Sequence, residues 1–306
     1  MPFGYSPTSA FPRTHNESDR DNAVPFAAIA AITAVDSHAH VFVRGLPLAA
    51  ARRHAPDYDA TLAAYLALLD AHDVSHGVLV QPSFLGTDNS FLIDALRAAP
   101  GRLRGVAVVD PQVDDATLRA MTEAGIVGIR LNIVGMPLPD FSWPDWQRLF
   151  ARVRALGWHV ELHRESRDLP QAARPVLDAG CALVVDHFGR PASAPADDEG
   201  FAWLLGAAAC GRIWVKLSAA YRNWPAATTD VRAHEAAQAL LKAFGPERLV
   251  WGSDWPHTQH REIADYATAH AALADWVPDA ATRRRILVDT PARLFKFKTG
   301  DITDDQ

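Results

Sequence analysis

The sequence predicts an α/β protein built as a single (β/α)8 TIM barrel, with its active site at the C-terminal ends of the strands. Three observations predict it. Eight short apolar runs recur at fairly even intervals, stretches of helical periodicity separate them, and chemically active side chains recur where the runs end.

The runs cover residues 34–40, 76–83, 104–111, 125–132, 158–165, 182–189, 213–220 and 248–255. Each is rich in Val, Ile and Leu with little strict alternation, as expected of parallel strands buried on both faces. The first helix is expected over 58–73, with Leu62, Leu66 and Leu69 on one face and Asp59 as its N-cap. The second, over 89–101, stops at Pro100 and Gly101, and the third, over 114–125, runs from an acidic start to Gly125. The fourth, over 142–157, carries Trp146, Leu149 and Val153 as a stripe and closes on Gly157. Further helices fit 168–180, 198–210, 230–244 and 261–276, with a short one near 279–287. A doubly wound open sheet would show a glycine-rich phosphate loop after its first strand; that place holds DSHAH (36–40).

The bulk composition agrees. The chain has 306 residues, 49% hydrophobic and 22% charged, a balance that supplies a full core. A net charge of −6 gives no electrostatic reason to expect nucleic acid or an anionic membrane as a partner. Cys181 and Cys210 lack CxxC spacing and are expected to be buried, reduced thiols. The apolar stretch 23–35 is too short to cross a bilayer, and its acidic upstream flank argues against a secretory signal. Residues 1–22 read as a polar arm, 24–33 as its return to the body, and 23–306 as the barrel domain; the cytoplasm is the expected compartment, and the protein a monomer or homodimer.

In such a barrel catalytic groups sit at strand ends. Strand 1 ends in His38 and His40, whose i, i+2 spacing puts both on one face of an extended strand. Strand 4 ends in Arg130 and Asn132, strand 5 in His163, strand 6 in Asp186 and His187. Strand 7 ends in Lys216 and Ser218 with Tyr221 and Arg222 beyond, and strand 8 in Ser253 and Asp254 followed by His257. Imidazole and carboxylate are ordinary ligands for a catalytic divalent ion, so His38, His40, His163, His187 and Asp254 form a candidate metal set. Without metal, the same histidines can polarise a carbonyl oxygen. In either case Asp254 can take a proton from water. Arg130 at a strand end can hold a carboxylate through two parallel hydrogen bonds. Arg222 reads equally as an anion clamp or a solvated loop residue, and Lys216 as the partner of an acid between strands.

The strings VDSHAHVF, VLVQPSFLGTDNSFLIDAL, GVAVVDP, GIRLN, VVDHFGRP and VWGSDWPHT resemble the amidohydrolase superfamily over about residues 34–295. Within it they are most similar to the lactonase branch typified by 2-pyrone-4,6-dicarboxylate hydrolysis. The resemblance implies opening of a cyclic ester, with Asp254 activating water and His38, His40 and His187 around the lactone carbonyl. It implies a substrate pocket of Arg130, Arg222, Ser83, Thr87, His163, Tyr221, His257 and Gln259. It also implies either no required metal, as in that branch, or one divalent ion such as zinc or manganese, as in most of the superfamily. Two positions depart from the branch. No basic residue occurs in 133–143, where a second arginine is expected, and His163 stands where a tyrosine is expected. The substrate class therefore spans pyrone dicarboxylates, sugar lactones and other aromatic-derived lactones. A metal-dependent decarboxylase of aromatic or muconate-type acids is the alternative enzyme, and a non-enzymatic binding barrel the alternative outside catalysis.

Overall fold

The computed structural model describes residues 31–298; the expected arm over 1–22 and nearly all of its return segment lie outside them. Eight parallel strands are ordered β1 to β8 as in the sequence: Val35–Ala39, His76–Val80, Leu103–Ala107, Ile126–Asn132, His159–His163, Ala182–Val185, Ile213–Leu217 and Leu249–Trp251. The last joins the first just past its own end, where Asp254 N donates to His38 O (2.8 Å) and His40 N to Trp255 O (2.8 Å). Gly252 permits this closure, since a Cβ there would lie 2.6 Å from His38 Cβ. The strands form the nearly closed (β/α)8 barrel that the alternation predicts.

The helices between the strands are α1 Leu62–Ala71, α2 Ser90–Ala98, α3 Asp115–Glu123, α4 Pro144–Ala155, α5 Leu169–Asp178, α6 Glu199–Ala207 and α7 Thr229–Phe244. After β8 come α8 Tyr266–Trp276 and the short α9 Ala280–Arg284 and α10 Thr290–Leu294. Two helices start later than expected. The α1 cap is Thr61, whose side chain accepts from Ala64 N; Asp59 instead accepts from Arg44 N at 2.7 Å, which keeps the chain before Thr61 outside the helix. Likewise α8 begins after Asp265, which caps it through Thr268 N, so 261–265 stay in the loop. Of the two free thiols only Cys181 is buried; Cys210 is exposed, in the turn that follows α6.

Strand burial on both faces hides a difference along the barrel axis. Val35, Val78, Val80, Val106, Val127 and Val250 pack with Phe295 and Phe297, which follow α10, into an apolar plug. Toward the strand ends polar residues take over. In β5, HVELH, alternation places His159, Glu161 and His163 on the face opposite Val160 and Leu162. No described helix is long and apolar enough to cross a membrane.

Candidate active site

The site grows from the seam between β1 and β8. The β1–β2 register shifts between Asp36 and Ala39. Asp36 accepts from Ser253 N (2.8 Å), Ser253 Oγ (2.6 Å), His38 N (3.2 Å) and Tyr65 Oη of α1 (3.1 Å). One buried carboxylate thus ties the backbone that carries His38 to the backbone that carries Asp254. Burial pushes its own pKa up, against those hydrogen bonds.

His38 and His40 do share a face: their Nε2 atoms lie 3.2 Å apart. His40 Nδ1 contacts Val80 O at 2.7 Å, so its proton sits there and its Nε2 presents a lone pair. His38 Nδ1 lies 2.9 Å from the Lys216 ammonium, a donor, which places the His38 proton on Nε2, pointing at His40. Lys216 is fully buried and pairs with Glu161 at 2.7 Å, with Asp186 Oδ1 3.4 Å away. Lys216 thus does pair with acids, and these groups sit under the histidines.

Asp254 divides its two oxygens. Oδ2 accepts from Arg222 Nε (2.7 Å) and from Tyr221 Oη (2.5 Å). Oδ1 faces the Nε2 atoms of His38, His187 and His40 at 3.7, 3.9 and 4.0 Å. Burial alone would raise this carboxyl, but the Arg222 guanidinium bonded to Oδ2 outweighs it and holds Asp254 well below the usual carboxylate range. Burial likewise pushes His40, His163 and His187 well below the ordinary imidazole value, so they are neutral at pH 7. His187 is oriented by Ser218 Oγ, 2.8 Å from its Nδ1. His163 accepts from Arg130 at 3.4 Å through Nδ1 and leaves its buried Nε2 without a partner at the cavity wall.

Backbone strain collects here. His187, Phe188 and Arg190 after β6, Ala219 after β7, and Asp254, His257 and Gln259 after β8 all have φ between 50° and 69°. The left-handed region costs a non-glycine residue roughly 1–3 kcal/mol, and these residues flank the converging groups.

Above them opens a cavity of about 260 Å³. Of the expected residues, His40, Ser83, Arg130, His163, His187, Arg222, Asp254 and Gln259 line it. His38 lies beneath, and Tyr221 reaches it through Asp254. Thr87 is exposed in the loop before α2, away from the cavity, and His257 faces a separate cleft beside Tyr58 and Trp255. Arg53, His54, Asn132, Arg190, Thr258 and His260 also line the cavity; Thr258 and His260 belong to the segment around Gln259 expected there, whereas sequence reasoning missed Arg53, His54 and Arg190. Arg190 directly follows the HFG that carries His187, a signal that was available; Arg53 and His54 come from a loop that no periodicity ties to the site. Among the described residues that line it Asp254 is the one acid, against four arginines, so the cavity is built for an anion.

Among the described residues two groups have ligand atoms within 4.8 Å of one another, His38 with His40 and Asp254, and His38 with Asp186 and His187. The first set fits a divalent ion. Holding one through Nε2 would move the His38 proton to Nδ1, which requires the Lys216 ammonium, 2.9 Å away, to turn wholly to Glu161 and Asp186. His163 belongs to neither group, its Nδ1 being taken by Arg130.

The fold and the site define a parallel (β/α)8 barrel enzyme with a histidine pair at the end of β1 and Asp254 just after β8. The chain belongs to the amidohydrolase family, whose pattern matches residues 35–297, and is an enzyme of that family. It is 33% identical over 278 residues to a 2-pyrone-4,6-dicarboxylate hydrolase of Comamonas testosteroni, covering 86% of this chain and 90% of that protein. It is 31% identical over 288 residues to a 4-sulfomuconolactone hydrolase of Rhizobium radiobacter, covering 91% and 95%. A crystal structure from Pseudomonas putida, assigned as a 2-pyrone-4,6-dicarboxylic acid hydrolase, matches at 46% identity and a TM-score of 0.83, covering 87% of this chain and 98% of that one.

Proposed function

We propose that this protein hydrolyses a small anionic lactone. The observation that carries the reading is the convergence of Asp254 Oδ1 with three imidazole Nε2 atoms under an arginine-lined cavity. The similarity to two hydrolases of anionic lactones supports it. Water beside Oδ1 attacks the ester carbonyl while Asp254 takes its proton. The Nε2–H of His38, and that of His187 with Ser218 Oγ donating to its Nδ1, stabilise the oxyanion as it forms, while His40 faces the site through a lone pair. The tetrahedral species then collapses, the ring C–O bond breaks, and the proton held by Asp254 goes to the departing oxygen. The product is an open-chain hydroxy or keto acid. A divalent ion held by His38, His40 and Asp254 would add Lewis-acid polarisation of the carbonyl.

The charge environment narrows the substrate. A carboxylate held this low is a weak base. Such a base suits lactones whose departing oxygen is itself stabilised, as in an enol ester. Tyr221 and Arg222 fix Oδ2 and so aim Oδ1.

The test is a lactone panel assayed with and without chelator, alongside metal analysis of the purified protein. Asp254→Asn should lower kcat by roughly 10²–10⁴-fold. Ester hydrolysis surviving that substitution would remove Asp254 from the mechanism. Release of carbon dioxide from an aromatic acid, without ring opening of any lactone, would favour the decarboxylase alternative.

A further inference from the structure

Four arginines line the cavity, and they are not equivalent. Arg130 bonds Asp186 Oδ2 at 3.0 Å, and Arg222 bonds Asp254 Oδ2 at 2.7 Å, so both already neutralise buried carboxylates. Each keeps only its Nη1 without a partner among the described residues, so it can offer a substrate anion one nitrogen while its charge is already matched by a carboxylate. Among the described residues Arg53 and Arg190 have no carboxylate within ion-pairing distance. Arg190 spends one nitrogen on Arg222 O at 2.5 Å. Arg53 donates to Asn132 Oδ1 at 2.7 Å and to Val134 O, both neutral acceptors. The acid whose field reaches both, Glu165, is held by Gly135 N at 2.8 Å and Arg164 Nε at 3.2 Å. Burial and neighbouring cations push both guanidinium groups down from their ordinary values; an arriving anion would relieve that.

The loop between β1 and α1 brings Arg53 to this place, and its base is pinned. Phe42 N donates to Ala60 O at 2.9 Å, Ala60 N returns the bond to Phe42 O, and Ala49 N donates to Phe84 O. Phe42, Ala60, Phe84 and Leu85 form a small buried cluster beneath it. Arg53 then reaches across to β4, touching Asn132 and the start of the segment that lacks any basic residue.

We propose that Arg53 is the specificity-determining residue of this site, binding a second anionic substituent, carboxylate or sulfonate, that a lactone carries away from its scissile ester. The proposal rests on the lactonase reading for the reaction and adds the substrate class: dianionic lactones over monoanionic ones. The guanidinium exchanges its bond to Asn132 Oδ1 for the substrate anion, and Arg190 serves as the other acid-free cation. A charge-assisted, forked contact of this kind strengthens binding much more than a neutral one.

The experiment compares wild type, Arg53→Met and Arg53→Lys on a pyrone dicarboxylate and its monocarboxylate counterpart. Arg53→Met should raise KM for the dicarboxylate by roughly ten- to a hundredfold with a smaller change in kcat, and lower the selectivity for it over the monocarboxylate at least tenfold. Arg53→Lys, which keeps charge without the fork, should fall between. Isophthalate and benzoate titrated calorimetrically into the same proteins give a readout that needs no turnover, and the preference for isophthalate should shrink in step. Unchanged selectivity and unchanged isophthalate preference in folded Arg53→Met overturn the proposal while leaving the lactonase reading intact. If wild type opens neither pyrone, the lactonase reading fails, and the isophthalate titration alone decides for or against Arg53.

Discussion

The two ends of the barrel interior show opposite designs. The floor is a plug of six valines and two phenylalanines, contributed by β1, β2, β3, β4, β8 and the segment after α10. The mouth, toward the C-terminal ends of the strands, holds His38, Glu161, Asp186, Lys216, Arg130 and Asp254, all nearly or fully buried. Non-glycine residues in the left-handed region cluster after β6, β7 and β8, at the mouth. The floor lowers free energy by burying apolar surface with no polar group to satisfy. The mouth costs free energy in desolvated charge and strained backbone, which is tolerated because the surrounding structure holds it. Stability and chemistry are therefore divided along one axis, and substitutions can separate them.

The largest effect is expected at Lys216. Lys216→Met removes the cation between Glu161 and His38, leaving a buried carboxylate without its partner. Breaking such a pair costs about 3–5 kcal/mol, read from urea unfolding. Because His38 also loses the donor that sets its tautomer, kcat should fall as well, beyond what the remaining folded fraction explains. Normal kcat in folded Lys216→Met would make Lys216 purely structural. The matching change in the floor is Val106→Ala, at a fully buried position. It should lower stability by roughly 1–3 kcal/mol through lost burial and a residual cavity, with kcat and KM unaltered at temperatures where it stays folded. A changed KM there would show that floor and mouth are mechanically coupled.

Much of this division was legible in the sequence, and the missing part has physical reasons. Eight strands, the helix that follows each of them, and the placement of His38, His40, His187 and Asp254 follow from two periodicities and from the rule that barrel sites lie at strand ends. Strands buried on both faces do not announce which face is inside, so the acid expected to pair with Lys216 could not be named as Glu161. The alternation of His159, Glu161 and His163 in β5 was the available signal, since polar residues at period two within an apolar strand share a face. The roles of Arg130 and Arg222 could not be divided from those of Arg53 and Arg190 without distances, because each guanidinium's function depends on which carboxylate it already holds. The α1 cap shows the same ambiguity at small scale. Asp59 and Thr61 both suit an N-cap, and the bond from Arg44 N to Asp59 decides in favour of Thr61.

The smallest expected effect is that of mildly lowering the pH, and it tests whether the mouth is as dry as the floor. Burial depresses His40, His163 and His187 at the mouth and His159 near the floor, and takes His76 to about 4. Each is neutral in the folded protein, whereas in the unfolded chain it gains a proton near its reference value of about 6.5. As the pH falls below about 6.5 the unfolded chain binds more protons than the folded one, so stability declines from there. Above it these groups contribute no slope. Asp186 and Asp254 are depressed against the effect of burial, Asp186 by Lys216, His38 and Arg130, and Asp254 by Arg222. Their stabilisation is present above the unfolded value of about 3.9 and is lost as the pH drops further. Between pH 8 and 6.5, kcat/KM should change by less than about twofold, because Asp254 stays ionised and the depressed imidazoles stay neutral. An acid limb in kcat/KM centred near 6.5 would mean that a mouth histidine titrates as it does in water. The cavity would then be wet, and the weak-base argument for activated lactones would fail with it.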